Sequence, residues 1–262
     1  MAMTLEQYIT NPMGKNNAVL SAIVRESIRK DYSYRFDNVL LRENGKIDHY
    51  IYKDSKHNSY YVHVKVPSEV IPNFYYDTVF KFYADASIKN AGRSLEDYYV
   101  QFYSNDPAFV FTYAHTFIEN GLFIKELASK MSRDAIKYKA KEKNPQNLNG
   151  YVKSLYFAYL FLKQRGLLNK IKYENAPELN INYLLNNIMP ADQKVELRQE
   201  EEAKRDKKKK IKIDKDTARA IKRIGLGDEA ENRLVATTST VKKVKNTKAI
   251  NMVKATKRVG KK

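Results

Sequence analysis

The sequence predicts an α+β fold: an antiparallel β-meander followed by a helical half, with a basic C-terminal extension that is helical or disordered. Three observations predict it. Strand-like segments fill the first hundred residues and helical patterns follow them, the order expected of an α+β chain. All 31 Tyr and Phe residues lie at or before Tyr183, and aromatic side chains supply much of a packed core. From residue 201 onward 21 Lys and Arg stand against 8 Asp and Glu, a net of +13, whereas 27 basic and 22 acidic residues before it leave +5. These breaks place the core boundary near Met189-Pro190. Residues 1–192 are read as an aromatic-rich α+β domain and 193–262 as the extension.

In chain order, Thr4–Ile9 reads as a short helix broken by Asn11-Pro12-Met13-Gly14-Lys15, and Ala18–Lys30 as a longer amphipathic helix. Tyr34–Glu43 reads as a strand, joined through Asn44-Gly45 to Asp48–Asp54 in a hairpin cue. Tyr60–Val66 alternates, with Val62, Val64 and Val66 on one face and His63 and Lys65 on a polar one. Phe74–Tyr83 and Tyr98–Tyr103 complete five candidate strands. Short connections between consecutive strands favour antiparallel pairing.

Asp106 as N-cap and Pro107 at the first helical position then start a helix over Ala108–Glu119, which Asn120-Gly121 stops. Ser132 is expected to cap a Lys-rich helix ending near Lys143. Tyr151–Gln164 is apolar nearly all round, as a buried central helix should be, and Asn180–Met189 makes a short one. From Pro190 a charged helix is expected through Gln199-Glu200-Glu201-Glu202 into Lys207-Lys208-Lys209-Lys210. Asp216-Thr217 reads as the cap of a separate two-turn basic helix, Ala218–Ile224, ended by Gly225. Beyond Ala236 the apolar density is too low to fold alone, so disorder is expected there unless a partner holds the chain.

Composition excludes several chemistries. The 262 residues contain no Cys, so disulfides, thiolate metal sites and cysteine nucleophiles are ruled out. No apolar stretch reaches the roughly 20 residues of a membrane span. The start, Met1-Ala2-Met3-Thr4-Leu5-Glu6, lacks the pattern of a signal peptide, and a soluble intracellular protein without a membrane partner is expected. The four histidines, His49, His57, His63 and His115, do not pair at metal-ligand spacing. His115 lies among Phe109, Phe111, Tyr113 and Phe117 and reads as a hydrogen-bonded core histidine. Gly225-Leu226-Gly227-Asp228 follows a helix rather than a strand and reads as a cap and turn, while Glu200 to Glu202 read as a solvated helix face. No catalytic residue, metal ligand or cofactor is assigned, and a non-enzymatic protein is expected.

The binding candidates are the cations of the extension: Lys207, Lys208, Lys209, Lys210, Lys212, Arg219, Lys222, Arg223, Lys242, Lys243, Lys245, Lys254, Lys257 and Arg258. Each that neutralises a phosphate releases condensed counterions. Lysine acts as a point charge rather than the fork by which arginine reads guanine, which favours backbone contact without sequence readout. The expected partner is nucleic acid, DNA first, or an acidic protein surface. Tyr50 and Tyr52, Tyr60 and Tyr61, Tyr75 and Tyr76, and Tyr98 and Tyr99 lie on candidate strands. They could stack on bases, but no segment matches an RNA-recognition sheet, and sheet packing or subunit contact is the stronger reading.

Four blocks carry a resemblance. They are Asn11-Pro12-Met13-Gly14-Lys15; Lys65-Val66-Pro67-Ser68-Glu69-Val70 with Phe74-Tyr75-Tyr76-Asp77; Phe102 to Thr112 (FYSNDPAFVFT); and Gly150 to Leu160 (GYVKSLYFAYL). Through them, residues 1–195 resemble a largely uncharacterised family of proteins from phages and prophages of low-GC Gram-positive bacteria. The resemblance implies a phage-encoded protein acting in the virion or its assembly, located in the virion or host cytoplasm, with other virion subunits as partners. It transfers no catalytic residue. The alternative is an intracellular, sequence-nonspecific DNA- or RNA-binding accessory protein.

Overall fold

Residues 34–43, expected to form a strand, are instead the second half of a helix, 34–42, and its C-cap Glu43. The structure, a computed structural model, describes residues 2–12, 21–84, 94–140, 144 and 149–223. Helix α1 (Leu5–Thr10) starts at Thr4 with a complete capping box to Gln7, which satisfies two otherwise orphaned amide donors. Helix α2 (Ala22–Arg42) runs 21 residues from its N-cap Ser21. Tyr32, Phe36, Val39 and Leu40 recur at helical spacing and pack into the core, and this period outweighs the strand-like composition. The Asn44-Gly45 pair does turn the chain, but as the helix terminator. Both residues have positive φ, 52° and 71°, and the Gly45 amide donates to the Leu40 carbonyl at 2.8 Å.

Four strands therefore remain of the five expected: β1 (His49–Asp54), β2 (Ser59–Pro67), β3 (Tyr75–Tyr83) and β4 (Tyr99–Ser104). They form one antiparallel sheet in the order β1-β2-β3-β4, the expected meander, so the protein is α+β. Its outer edges are covered along part of their length. The Val100 amide donates to Met3, Phe102 and the 122–124 segment exchange bonds, and Lys53 pairs with Pro177 and Leu179.

Asp106 caps the next helical segment through Ala108 at 2.9 Å. A π-helical turn, Phe109–Tyr113, leads into α3 (Ala114–Glu119), which stops at Gly121 with φ 73° as anticipated. The Ser132 helix is shorter than expected: α4 covers only Arg133–Lys137, and the Ser132 side chain makes no capping bond. Then come α5 (Lys153–Gln164), α6 (Ile181–Asn187) and α7 (Ala191–Arg223).

Both faces of the sheet are buried, and this overturns the expectation that His63 lines a polar face. Alternate residues project to opposite faces. Val62, Val64, Phe80 and Phe102 point toward α5 and α1, where Phe102 meets Tyr8 at 4.6 Å between ring centroids and Phe80 at 5.3 Å. Helix α2 packs on the outside of α5, with Phe36 5.5 Å from Phe157. Tyr61, His63, Asp77 and Tyr103 occupy the other face. It is covered by the 3₁₀ turn Lys125–Lys130, which accepts the Tyr103 hydroxyl, and by the Met189 segment.

The chain divides into two compact units, Met1–Glu201 and Glu202–Lys262. The first eleven residues of α7 thus group with the body, nine of them, 193–201, past the boundary expected at residue 192. Ala191 is fully buried, and Lys194 and Val195 are half-buried.

Candidate nucleic-acid interface

Helix α7 is continuous over 33 residues. No Gly or Pro interrupts 191–224, so nothing in the sequence breaks the backbone hydrogen-bond ladder. The separate capped helix expected after Asp216-Thr217 is not formed; those residues lie inside α7. Its first turn carries Asp192, which suits the positive end of the helix dipole, and its cations cluster toward the other end.

The root of α7 is tied to the sheet by a buried polar knot. Asp77 accepts from His63 Nε2 at 2.9 Å, from Asn105 Nδ2 at 2.8 Å and from the Met189 amide at 3.2 Å. Asn105 Nδ2 also donates to the Met189 carbonyl at 3.0 Å, and its Oδ1 accepts the Asp77 amide at 2.8 Å. Burial pushes the Asp77 carboxyl up, but the hydrogen bond and attraction of His63 outweigh it and leave the group below its ordinary value. Lys194 lies 4.6 Å above the Phe74 ring. Burial lowers its affinity for a proton, and Asp77 offsets part of that loss.

Past Glu201 the character changes. Residues 202–262 hold 21 basic and 7 acidic residues. Lys207, Lys208, Lys209, Lys210 and Lys212 are exposed, and no carboxylate whose side chain is described pairs with them; the Asp214 side chain lies outside that set. Successive helical residues are offset by about 100°, so Lys207 to Lys210 point around most of the circumference. The segment is a cationic rod, not a helix with one basic face. That geometry suits neutralisation of phosphates from several sides and offers no single face to read bases. Arg219, Lys222 and Arg223 are on the helical backbone of α7, their side chains lying outside the described set. Lys242, Lys243, Lys245, Lys254, Lys257 and Arg258 lie outside the described residues, as do Gly225 to Asp228.

The tyrosine pairs do not form an exposed stacking platform. Tyr52, Tyr61, Tyr76 and Tyr98 are buried, Tyr60, Tyr75 and Tyr99 half-buried, and Tyr50 is the exposed member of the set. Tyr60 packs against Tyr98 and Tyr173. His115 bonds the Ile136 carbonyl at 2.9 Å, hydrogen-bonded as expected but half-buried at the edge of the core rather than within it, and His57 pairs with Asp54 at 2.7 Å on the surface. Two features escaped the sequence reading. One is the Asp77–Asn105 knot, whose partners are far apart in the chain. The other is a basic groove along α2, whose signal was available in the i, i+4 spacing of Arg25 and Arg29.

No family model matches the chain, and no curated protein and no solved structure matches it either. Among the described residues no helix is long and apolar enough to cross a membrane. What the fold and the site define is an α+β body from which a helix continues into a strongly cationic extension.

Proposed function

We propose that this is a non-enzymatic phage virion or assembly protein whose basic C-terminal extension binds nucleic acid through its phosphate backbone. The observation that carries the binding reading is the run Lys207–Lys210 with Lys212, exposed on α7 and unpaired by any carboxylate whose side chain is described. The phage setting rests on the resemblance of residues 1–195. The buried Asp77 knot supports the division of labour, since it holds the root of α7 rigidly on the body. An acidic neighbouring subunit could meet the same cations; uniform dependence on phosphate charge distinguishes nucleic acid from it.

The test is binding of the full chain to a labelled DNA duplex across a salt series. About six phosphate contacts would cost roughly a thousandfold in affinity between about 50 and 200 mM salt. Neutralising Lys207, Lys208, Lys209 and Lys210 to Gln should flatten the slope of log K against log salt by about 3–4. An unchanged slope removes the extension as the binding element. Finding the protein in purified particles supports the virion role. Absence from particles, with binding retained, moves the assignment to an intracellular accessory protein.

A further inference from the structure

A groove of about 530 Å³ opens along the N-terminal half of α2, bounded by Thr10 of α1 and Tyr156 of α5. Arg25, Glu26, Arg29 and Lys30 line it. Arg25 and Arg29 are half-buried and stand one helical turn apart, a rise of about 6 Å. Arg25 is oriented by Asn11 Oδ1 at 2.9 Å. Glu26 is committed to Lys30 at 2.8 Å, and among the described residues no carboxylate lies within ion-pair distance of Arg29. The positive potential is felt by the groove's own neighbours: burial raises the Tyr151 phenol, while Arg29 and Arg25 pull it back.

We propose that this groove is a second phosphodiester-binding site, on the folded body and separate in sequence from the lysine extension. It rests on the reading that the ligand is nucleic acid. Three cations against one carboxylate leave the groove with a net charge of +2. Asn11 holds Arg25 before any ligand arrives, so less rotamer freedom is lost there on contact. Two guanidinium forks one helical turn apart suit adjacent phosphate oxygens. The buried Tyr156 ring closes the floor rather than offering a stacking face, so the contact is to the backbone and carries no base preference.

The test uses the full chain and the same labelled duplex. Arg25→Gln with Arg29→Gln should weaken binding and flatten the salt slope by about 2, while the Lys207–Lys210 substitutions leave that increment in place. An undiminished slope in the arginine variant, with the extension variant still defective, overturns the groove and leaves the proposed function standing. The reverse pattern keeps the groove and removes the extension. Lysine at both positions should retain the slope, because charge is kept; loss of the slope in that variant overturns backbone neutralisation here. Should the glutamine pair unfold, Glu26→Gln decides. It removes the opposing charge and releases Lys30 on an exposed face, so tighter binding is expected, and unchanged or weaker binding overturns the proposal.

Discussion

His63 Nε2 lies 2.9 Å from Asp77 Oδ1, with the histidine wholly buried and the carboxylate nearly so. His63 sits on β2 opposite Val79, two residues along β3 from Asp77, so the pair is a diagonal on the buried face of the sheet. The other imidazole nitrogen, Nδ1, has no partner among the described residues. Everything holding this polar pair in the core therefore runs through Asp77, and breaking one side of such a pair strands the other. Asp77→Leu is expected to destabilise the protein by about 3–5 kcal/mol in urea unfolding at neutral pH. Adding His63→Leu should recover part of that loss, because the orphaned ring is removed with its partner. A double variant no more stable than Asp77→Leu would show that the pair is not coupled.

The same carboxylate sets an acid limit. Its affinity for protons is lowered in the folded state relative to its ordinary value of 3.8. A depressed folded pKa contributes stability that is fully present above the unfolded value and is lost as pH falls through the folded one. Glu126, held down by Lys81 against the opposing effect of burial, adds to the trend in the same direction. The stability these two carboxylates contribute should thus be fully present above about pH 5, and melting temperature should fall as pH drops below about 4. Asp77→Leu should show a shallower decline over that acid range, read by thermal unfolding at stepped pH.

Phe102 is the centre of the opposite face, with Tyr8 at 4.6 Å, Phe80 at 5.3 Å and Phe117 at 5.7 Å. It is fully buried, and its contacts join α1, the sheet and α3. Phe102→Ala removes a side chain that four elements cannot close over, at a cost of about 3–5 kcal/mol. Tyr50→Ala, at 38% exposure on the edge strand, should cost far less. Equal effects of the two changes would mean that the core is not where these ring contacts place it.

How much of this was legible beforehand depended on the range of the forces. The meander, the Asp106 cap, the Gly121 stop and the central α5 all follow from local signals, and each was found. Tyr34–Glu43 was misread because Val39, Leu40 and Leu41 look like a strand locally; only Phe36 and Tyr32, one and two turns earlier, reveal the helical face. The separate Asp216 helix failed for a related reason. An Asp can cap a helix, but without a Gly or Pro ahead of it nothing breaks the one already running. The polar knot was out of reach, since it joins residues 63, 77, 105 and 189. Sequence showed that the extension was cationic; that its lysines circle one helix required the backbone.

Gly150 leaves room for the Tyr113 ring. A Cβ placed there would lie 2.7 Å from Tyr113 Cε1 and 2.8 Å from its hydroxyl. Real atoms do not approach so closely, and Tyr113 ends the π-helical turn against that spot. The Gly150 carbonyl also accepts the buried Tyr8 hydroxyl at 3.1 Å. Gly150→Ala should destabilise by about 1–3 kcal/mol through overpacking. In a Tyr113→Ala background the same change should cost markedly less, because the clashing ring is gone. Additive costs in thermal unfolding would place the effect in the backbone of Gly150 instead.

Helix α7 past Glu201 holds like charges at neighbouring positions: Lys207 with Lys210, and Lys208 with Lys212, share helix faces. Each such pair costs about 0.2–0.5 kcal/mol of helix stability at low salt. Anything that neutralises these lysines should therefore strengthen the helix. The difference in far-UV ellipticity between the full chain and a chain ending at Glu201 isolates the extension. That difference should grow as salt rises from about 10 to 300 mM, over which the Debye length falls from about 30 to below 10 Å. It should grow further with substoichiometric duplex DNA at low salt, because bound phosphates sit closer than free ions. The four glutamine substitutions at Lys207 to Lys210 should abolish most of the response while raising helicity in its absence. A wild-type extension whose helicity ignores both salt and DNA would show that these cations do not repel one another on a common helix.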